Sequence, residues 1–143
     1  MTTRTLLITA GFAWVVALGG LVWMMMLGGM RPRHTLYLLT DLNPVETACV
    51  ALSVVSAVIG TISLCAGARP RAVIGFAAAF GWGVLGALYG AAGARSMLIN
   101  MNPPIPFSVY APNYAAALLV LLVGMTGALL GLGLLSLRRS RQG

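Results

Sequence analysis

The chain has 143 residues, of which 59% are hydrophobic and only 8% are charged, and its mean hydropathy is +0.95. Because soluble domains carry roughly 25% charged residues, this composition excludes a soluble domain and indicates an integral membrane protein. Nine arginines, no lysine and two acidic residues give a net charge of +7. These arginines are too few and too scattered for a nucleic-acid-binding surface, so we expect no nucleic acid among the partners.

Uninterrupted apolar runs predict an all-α protein with four transmembrane helices in a single domain, residues 1–143. Each run is close to the ~20 residues that a helix needs to cross a bilayer. The predicted helices cover residues 6–29, 44–66, 72–94 and 114–137. The first run also fits a signal peptide, because Arg4 precedes it and Ala17-Leu18-Gly19 offers a cleavage site. The run continues through Met26, which is too long for a signal sequence, so we expect a helix that is retained.

The arginines predict the orientation of these helices. With four spans, both termini share one side with the second loop, and that side carries Arg4, Arg69, Arg71, Arg138, Arg139 and Arg141. The opposite side carries three arginines, Arg31, Arg33 and Arg95, together with both acidic residues. Since cytoplasmic loops are enriched in arginine and lysine, we expect both termini in the cytoplasm and the chain in a bacterial inner membrane. The tyrosines at positions 37, 89, 110 and 114 would then lie at the outer interface, which suits their amphipathic rings.

The connections between the helices have distinct sequence signals. Asn43, Pro44 and Glu46 form a predicted capping box, which explains the acidic residue without a function, because a helix N-terminus stabilises an anion. A tight turn is expected at Arg69-Pro70-Arg71. Four prolines forbid a regular helix through much of residues 95–113. The rest of that segment is apolar, so we expect an ordered outer loop on the membrane surface or against a partner.

Small residues at spacings of three and four, as in the GxxxG motif, mark predicted packing faces. The third helix carries Gly75, Ala79, Gly83, Gly86, Gly90 and Gly93. The second carries Ser53, Ser56, Gly60, Ser63 and Gly67, and the fourth carries Gly124, Gly127, Ala128 and Gly131. Three such faces exceed what one four-helix bundle needs. We therefore expect part of this surface to contact another subunit, with packing inside the chain as the alternative.

Three further features have alternative interpretations. The serines of the second helix could line a pore, although hydrogen bonds to carbonyls or across helices are their commoner role. Trp82, midway along the third helix, could contact a pigment, a quinone or a lipid, or could pack against a neighbouring helix. The run Met24–Met26 is typical of an adaptable packing surface. No cofactor is expected from this chain alone.

Residues that catalysis needs are missing from the sequence. His34 is the only histidine, so the chain alone cannot build a bis-histidine haem or a histidine metal cluster. Cys49 and Cys65 lie about 24 Å apart on one predicted helix, too far for a disulfide, and we expect both to be buried packing residues. No glycine-rich loop carries a lysine, and no Ser-His-acid triad can form. We therefore expect no enzymatic activity.

Two segments carry a resemblance to a known family. The segment Gly83-Val84-Leu85-Gly86-Ala87-Leu88-Tyr89-Gly90 resembles the Gly-x-x-Gly-Thr-Val-x-Gly pattern of the MotA/TolQ/ExbB proton-channel family, with Ala87 in place of the threonine. Residues 117–124 are similar to the family's Ala-Leu-x-Thr-Thr-x-x-Gly, with Val120 and Leu121 in place of the threonines. The resemblance covers about residues 75–135. In that family the threonines line the proton path, and they are replaced in this chain. The resemblance therefore implies an oligomeric scaffold more than a proton path.

These observations favour a non-catalytic accessory or scaffold subunit of a multi-subunit bacterial inner-membrane complex. Its expected partners are other membrane subunits, a second copy of the chain, and lipid. The alternative, which the resemblance implies, is a proton-channel or stator-type subunit that acts with an acid-bearing partner. A small homodimeric transporter is the weaker alternative, because the predicted helices carry no ionisable residue deep in the membrane and ion-coupled transport usually needs one.

Overall fold

The computed structural model describes residues 3–31, 35–100 and 106–140. All regular secondary structure in these ranges is helical, which confirms the predicted all-α class. The helices are α1 (Thr3–Leu27), α2 (Thr35–Thr40), α3 (Pro44–Cys65), α4 (Arg69–Asn100) and α5 (Ala111–Ser140), and a 3-10 turn lies at Phe107–Val109. Four of them, α1, α3, α4 and α5, are long and apolar enough to cross a membrane, as predicted.

The boundaries of α4 and α5 differ from the prediction. The Arg69-Pro70-Arg71 segment is the first turn of α4 and not a loop, because proline loses no hydrogen bond there. The chain reverses just before it, at Gly67, whose φ of +84° favours glycine. At the other end α4 runs to Asn100, and Pro112 lies in the first turn of α5. The expected interruption between residues 95 and 113 is therefore shorter than predicted, and its prolines 103 and 104 lie outside the described residues.

α4 is antiparallel to α3 and to α5, and α1 is antiparallel to α5, whereas α3 and α5 run parallel to each other. α3 and α4 form a hairpin, and α5 packs against both of them. α1 lies on a further face of α5, where Gly20 approaches Leu118 and Gly28 approaches Pro112. Leu21 and Met25 of α1 contribute the core of this contact, together with residues of α2 and α5.

This topology collects charge at one end of the bundle. α1 and α4 begin there, and α3 and α5 end there. We call it the arginine end, defined by Arg4, Arg69, Arg71, Arg138 and Arg139. The opposite end, which we call the tyrosine end, carries Tyr37, Tyr89, Tyr110 and Tyr114 together with Asp41 and Glu46. Both acidic residues of the chain are therefore far from the arginine end.

Candidate functional site

The small-residue face of α4 brings helix backbones into direct contact. A Cβ atom added to Gly75 would lie 2.7 Å from the Cα atom of Gly60 in α3. One added to Gly83 would lie 2.7 Å from the Cα atom of Gly124 in α5. Carbon atoms prefer separations of about 3.5–4.0 Å, so only glycine fits at these crossings. α4 thus packs between α3 and α5 with its backbone in direct contact with theirs. We call the glycines along these contacts the glycine seam (Gly60, Gly75, Gly83, Gly86, Gly90 and Gly124).

Two further seam glycines accommodate side chains of both neighbours. A Cβ atom at Gly86 would meet Val120 Cγ1 at 2.7 Å and Cys49 Cβ at 2.8 Å. Gly90 packs directly against the carboxylate of Glu46, so that any side chain there would displace the acidic group. Cys49 is buried as expected, whereas Cys65 is exposed and contradicts the expectation; both thiols are free.

An aromatic ring explains the small residues near the arginine end. The ring of Phe76, which is 5% exposed, lies between Gly60 of α3 and Gly131 of α5. A Cβ atom added to Gly127 would lie 3.2 Å from the Cβ atoms of Ala57 and Ala79. Phe76 was not among the predicted packing residues. Its signal was an aromatic residue on the same face of α4 as Gly75 and Ala79.

The buried serine of α3 forms a hydrogen bond across helices, which is the commoner of the two roles predicted for the serines of this helix. Ser53 is 1% exposed, and its hydroxyl donates a hydrogen bond to the Ala79 carbonyl across the α3–α4 contact. Ser56 and Ser63 are half-buried on the same helix. The carbonyl of Ser56 lies beside Gly75. Hydrogen bonding across helices therefore accounts for Ser53 without a pore.

Gly93, a predicted packing residue, and Trp82, singled out for contact with a ligand, a lipid or a neighbouring helix, both lie outside the seam. Gly93 has no heavy atom within 4 Å of the position where its Cβ atom would be. Trp82 is half-buried. The seam itself is an intramolecular surface, because its glycines are buried between helices of one chain. Any contact with another subunit must therefore use other residues than these glycines.

A hydrogen bond that the sequence analysis missed joins α1 to α5. The indole Nε1 of Trp14 donates to the hydroxyl of Thr126 over 3.0 Å. The same hydroxyl donates to the Leu122 carbonyl over 2.7 Å. The signal was present in the sequence, since α5 has a single threonine and α1 has an indole far from either end. We expect this bond to fix the rotation of α1 on α5.

A long apolar groove passes this bond, between α1 and α3 and over α5. It has a volume of about 670 Å³. It is lined by Trp14, Leu18, Leu21, Ser53, Val54, Ala57, Val58, Thr61, Ile62, Leu119, Leu122, Val123, Thr126, Gly127 and Leu130. A second depression of about 470 Å³ shares Trp14, Thr126 and Leu130 with it and continues along α5 to Leu137, next to the arginine end. We call the two together the long groove.

The acidic residues lie in a smaller cavity at the tyrosine end. Glu46 is 6% exposed, and one of its carboxylate oxygens accepts a hydrogen bond from the Asn43 backbone over 3.2 Å. The Asn43 side chain accepts in turn from the amides of Val45 and Glu46, which confirms the capping box. Asp41 and Asn113 line the same cavity of about 220 Å³. Among the described residues no group of three or more potential metal ligands comes together, and His34 lies outside them.

The two segments that carry the family resemblance pack against each other. Gly83 meets Gly124, Gly86 meets Val120, and Gly90 meets Ala117. Ala87 and Leu121, which occupy threonine positions of the family pattern, both line a second apolar groove of about 330 Å³ between α1, α4 and α5. Searches against models of protein families, against curated protein sequences and against solved structures found no match to the chain.

Proposed function

We propose that the chain is a non-catalytic accessory or scaffold subunit of a multi-subunit complex in the bacterial inner membrane. The observation that carries this proposal is the exposure of α1. This helix has its extensive contact with α5 alone, and Phe12, Trp23 and Met26 on its other faces are each more than 60% exposed. Such a face suits either lipid or a second transmembrane subunit, whereas the glycine seam gives the rest of the bundle a rigid shape.

The interior of the bundle supports a scaffold rather than a carrier of ions. In the part of the chain whose burial is described, Glu46 is the one buried charged side chain, and it caps a helix at the tyrosine end. Ions and protons need a polar or wet path through hydrocarbon, because unsatisfied polar groups there cost several kcal/mol. The seam offers glycine backbone and apolar side chains instead. The chain has no enzymatic activity in this proposal.

The orientation in the membrane follows from the positive-inside bias. Both termini lie in the cytoplasm in this proposal, together with Arg69 and Arg71. The side chains of both arginines are exposed, which suits a polar interface. The segment from residue 95 to residue 113 then faces the periplasm, where Phe107 and Val109, both more than 40% exposed, offer an apolar surface to a partner.

Photocrosslinking from single positions tests the scaffold proposal. A photoreactive phenylalanine analogue at Phe12, on the exposed face of α1, should crosslink to a different polypeptide in native membranes. The same analogue at Phe76, a phenylalanine that is 5% exposed between α3 and α5, should crosslink only within the chain and is the matched control. Crosslinks from Phe12 to lipid alone, with none to any polypeptide, would contradict the proposal.

The second candidate function is a proton-channel or stator-type subunit with an acid-bearing partner. It is favoured by the direct packing of the two segments that resemble the MotA/TolQ/ExbB family. The small homodimeric transporter stays a weaker candidate. Purified chain in liposomes should dissipate neither a proton nor a potassium gradient faster than empty vesicles. Proton flux that arises only with a partner carrying a membrane aspartate would favour the stator type, and flux from the chain alone would favour a transporter or channel.

A further inference from the structure

We propose that the small cavity at the tyrosine end binds a hydrated divalent cation of the Mg²⁺ type. The carboxylates of Asp41 and Glu46, which both line this cavity, hold the ion. The inference goes beyond the proposed function and does not depend on it. It rests on the oxygen atoms that are free in the cavity, on the distribution of acidic residues in the chain, and on the room that the cavity offers.

Glu46 has one carboxylate oxygen to spare after it has capped α3. Its Oε2 atom accepts the hydrogen bond from the Asn43 amide that completes the capping box. Its Oε1 atom lies against Gly90 and accepts no hydrogen bond from the described residues. The side chain is 6% exposed, and in the described part of the chain no partnerless side-chain oxygen is sealed from solvent. Oε1 is therefore open to the cavity although Glu46 is buried.

Two further side chains of the cavity have polar atoms available. Asp41 lies between α2 and α3, and its carboxylate forms no hydrogen bond or ion pair with a described residue. The side-chain amide of Asn113, in the first turn of α5, is equally unpaired within the described ranges. Arg95 is exposed on α4 and does not line the cavity. A buried carboxylate is costly unless it is paired, so a cation in the cavity stabilises both acidic groups.

The cavity collects all the acidic side chains of the protein. The chain has nine arginines and a net charge of +7, and Asp41 and Glu46 are its two acidic residues. They are separated by four positions in the sequence and line one cavity. An ion that is held by side-chain carboxylates of this chain therefore binds here, because no other part of the sequence offers such a group.

The chemistry of the cavity selects a hard ion that keeps much of its water. Carboxylate and amide oxygens suit Mg²⁺, and this ion is usually held by one or two carboxylates while it retains several waters. Among the described residues no third carboxylate, cysteine or histidine joins Asp41 and Glu46. The cavity volume of about 220 Å³ is about seven times the ~30 Å³ of one liquid water. The ion therefore enters with its water, to which the Asn113 amide can hydrogen-bond.

Titration with Mn²⁺ tests the proposal. Mn²⁺ takes the same octahedral oxygen ligands as Mg²⁺, and its electron paramagnetic resonance signal measures the concentration of the free ion. The full chain, purified in an uncharged detergent, should bind one Mn²⁺ per chain. We expect a Kd on the order of 10⁻⁴–10⁻³ M, the weak end of the range for sites with oxygen ligands. An excess of Mg²⁺ should displace the Mn²⁺, whereas Na⁺ at the same ionic strength should not.

Substitution of either carboxylate should remove the site. Glu46→Gln and Asp41→Asn should each weaken the binding of Mn²⁺ by about tenfold or more, because affinity depends on the number of charged ligands. Glutamine supports a capping box as glutamate does, so Glu46→Gln should retain α3. Ser96→Lys is the matched control, since it makes the same change in net charge at an exposed position of the same end. It should weaken binding less than about twofold, because salt screens exposed charges.

A pair of glycine variants connects the ion to the cavity. Gly93 lines the cavity, and a Cβ atom added there would have no heavy atom within 4 Å. Gly93→Leu therefore occupies the cavity with an apolar side chain. Gly81→Leu adds the same side chain at an equally open position of α4 outside the cavity. Only Gly93→Leu should reduce the affinity for Mn²⁺.

Three outcomes would overturn the proposal. Absence of Mn²⁺ binding at millimolar concentrations would show that the cavity holds no divalent ion. Binding that survives both Glu46→Gln and Asp41→Asn would place the ion elsewhere, for example on the phosphate of a copurified lipid. Equal weakening by Ser96→Lys and by Glu46→Gln would show that only the net charge of this end matters. If Glu46→Gln does not fold, Asp41→Asn still tests the site, because the side chain of Asp41 is exposed.

Discussion

Replacing Gly83 with alanine adds one methyl group where α4 crosses α5. That methyl carbon would lie 2.7 Å from the Gly124 Cα atom and 3.3 Å from the Val120 carbonyl oxygen. Normal carbon–carbon contacts are about 3.5–4.0 Å, so the two helices must separate locally by about 1 Å. Overpacking of this kind typically costs about 1–3 kcal/mol. Both backbones belong to long helices, so neither side can yield as a flexible side chain would.

The matched control is Gly81→Ala on the same helix. No heavy atom lies within 4 Å of the added methyl carbon at that position, and alanine is up to about 1 kcal/mol better than glycine as a helix former. Gly81→Ala should therefore be neutral or slightly stabilising, whereas Gly83→Ala should be less stable than the native chain by about 1–2 kcal/mol. The free energies of unfolding are measured by titration with a denaturing detergent in mixed micelles. Equal stability of the two variants would refute the seam.

Three further predictions concern α1, the thiols and the orientation. Trp14→Phe and Thr126→Val should each lower the free energy of unfolding by about 0.6–1.7 kcal/mol, the range for hydrogen bonds between transmembrane helices. Because both remove the same bond, the double variant should lose less stability than the sum of the two single losses. Additive losses would contradict the bond. In detergent, a maleimide should label Cys65 quickly and Cys49 only after unfolding, because only the latter is buried against α4; fast labelling of both would contradict the packing. In intact spheroplasts, a membrane-impermeant maleimide should label Ser108→Cys but not Cys65, and the reverse pattern would contradict cytoplasmic termini.

The sequence predicted the number of long helices because hydrophobic length is a local property. Their ends were harder to locate. Pro70 and Pro112 suggested breaks in the helices, yet each lies in a first turn, where a missing amide proton costs nothing. The short helix α2 was not predicted, since six residues carry too little periodicity for a confident assignment.

The spacing of small residues predicted which glycines form the seam, but it did not predict which helices they contact. Spacings of three and four place Gly75 and Gly83 on one face of α4, and that face does contact other helices. Spacing alone cannot say whether the contacted helix belongs to the same chain. Nor could it pair Phe76 with Gly131, or Trp14 with Thr126, because these contacts join residues far apart in the sequence and depend on how α5 packs against both neighbours.

The most direct test of the scaffold proposal is native mass spectrometry of the chain released from its own membrane in a mild detergent. The chain would carry a C-terminal affinity tag and be expressed at its normal level. We expect particles in which this chain is bound to at least one different membrane polypeptide in a fixed ratio. Release of the chain only as a monomer or as a homodimer, under conditions that leave other membrane complexes intact, would contradict the proposal that it is a subunit of a larger assembly.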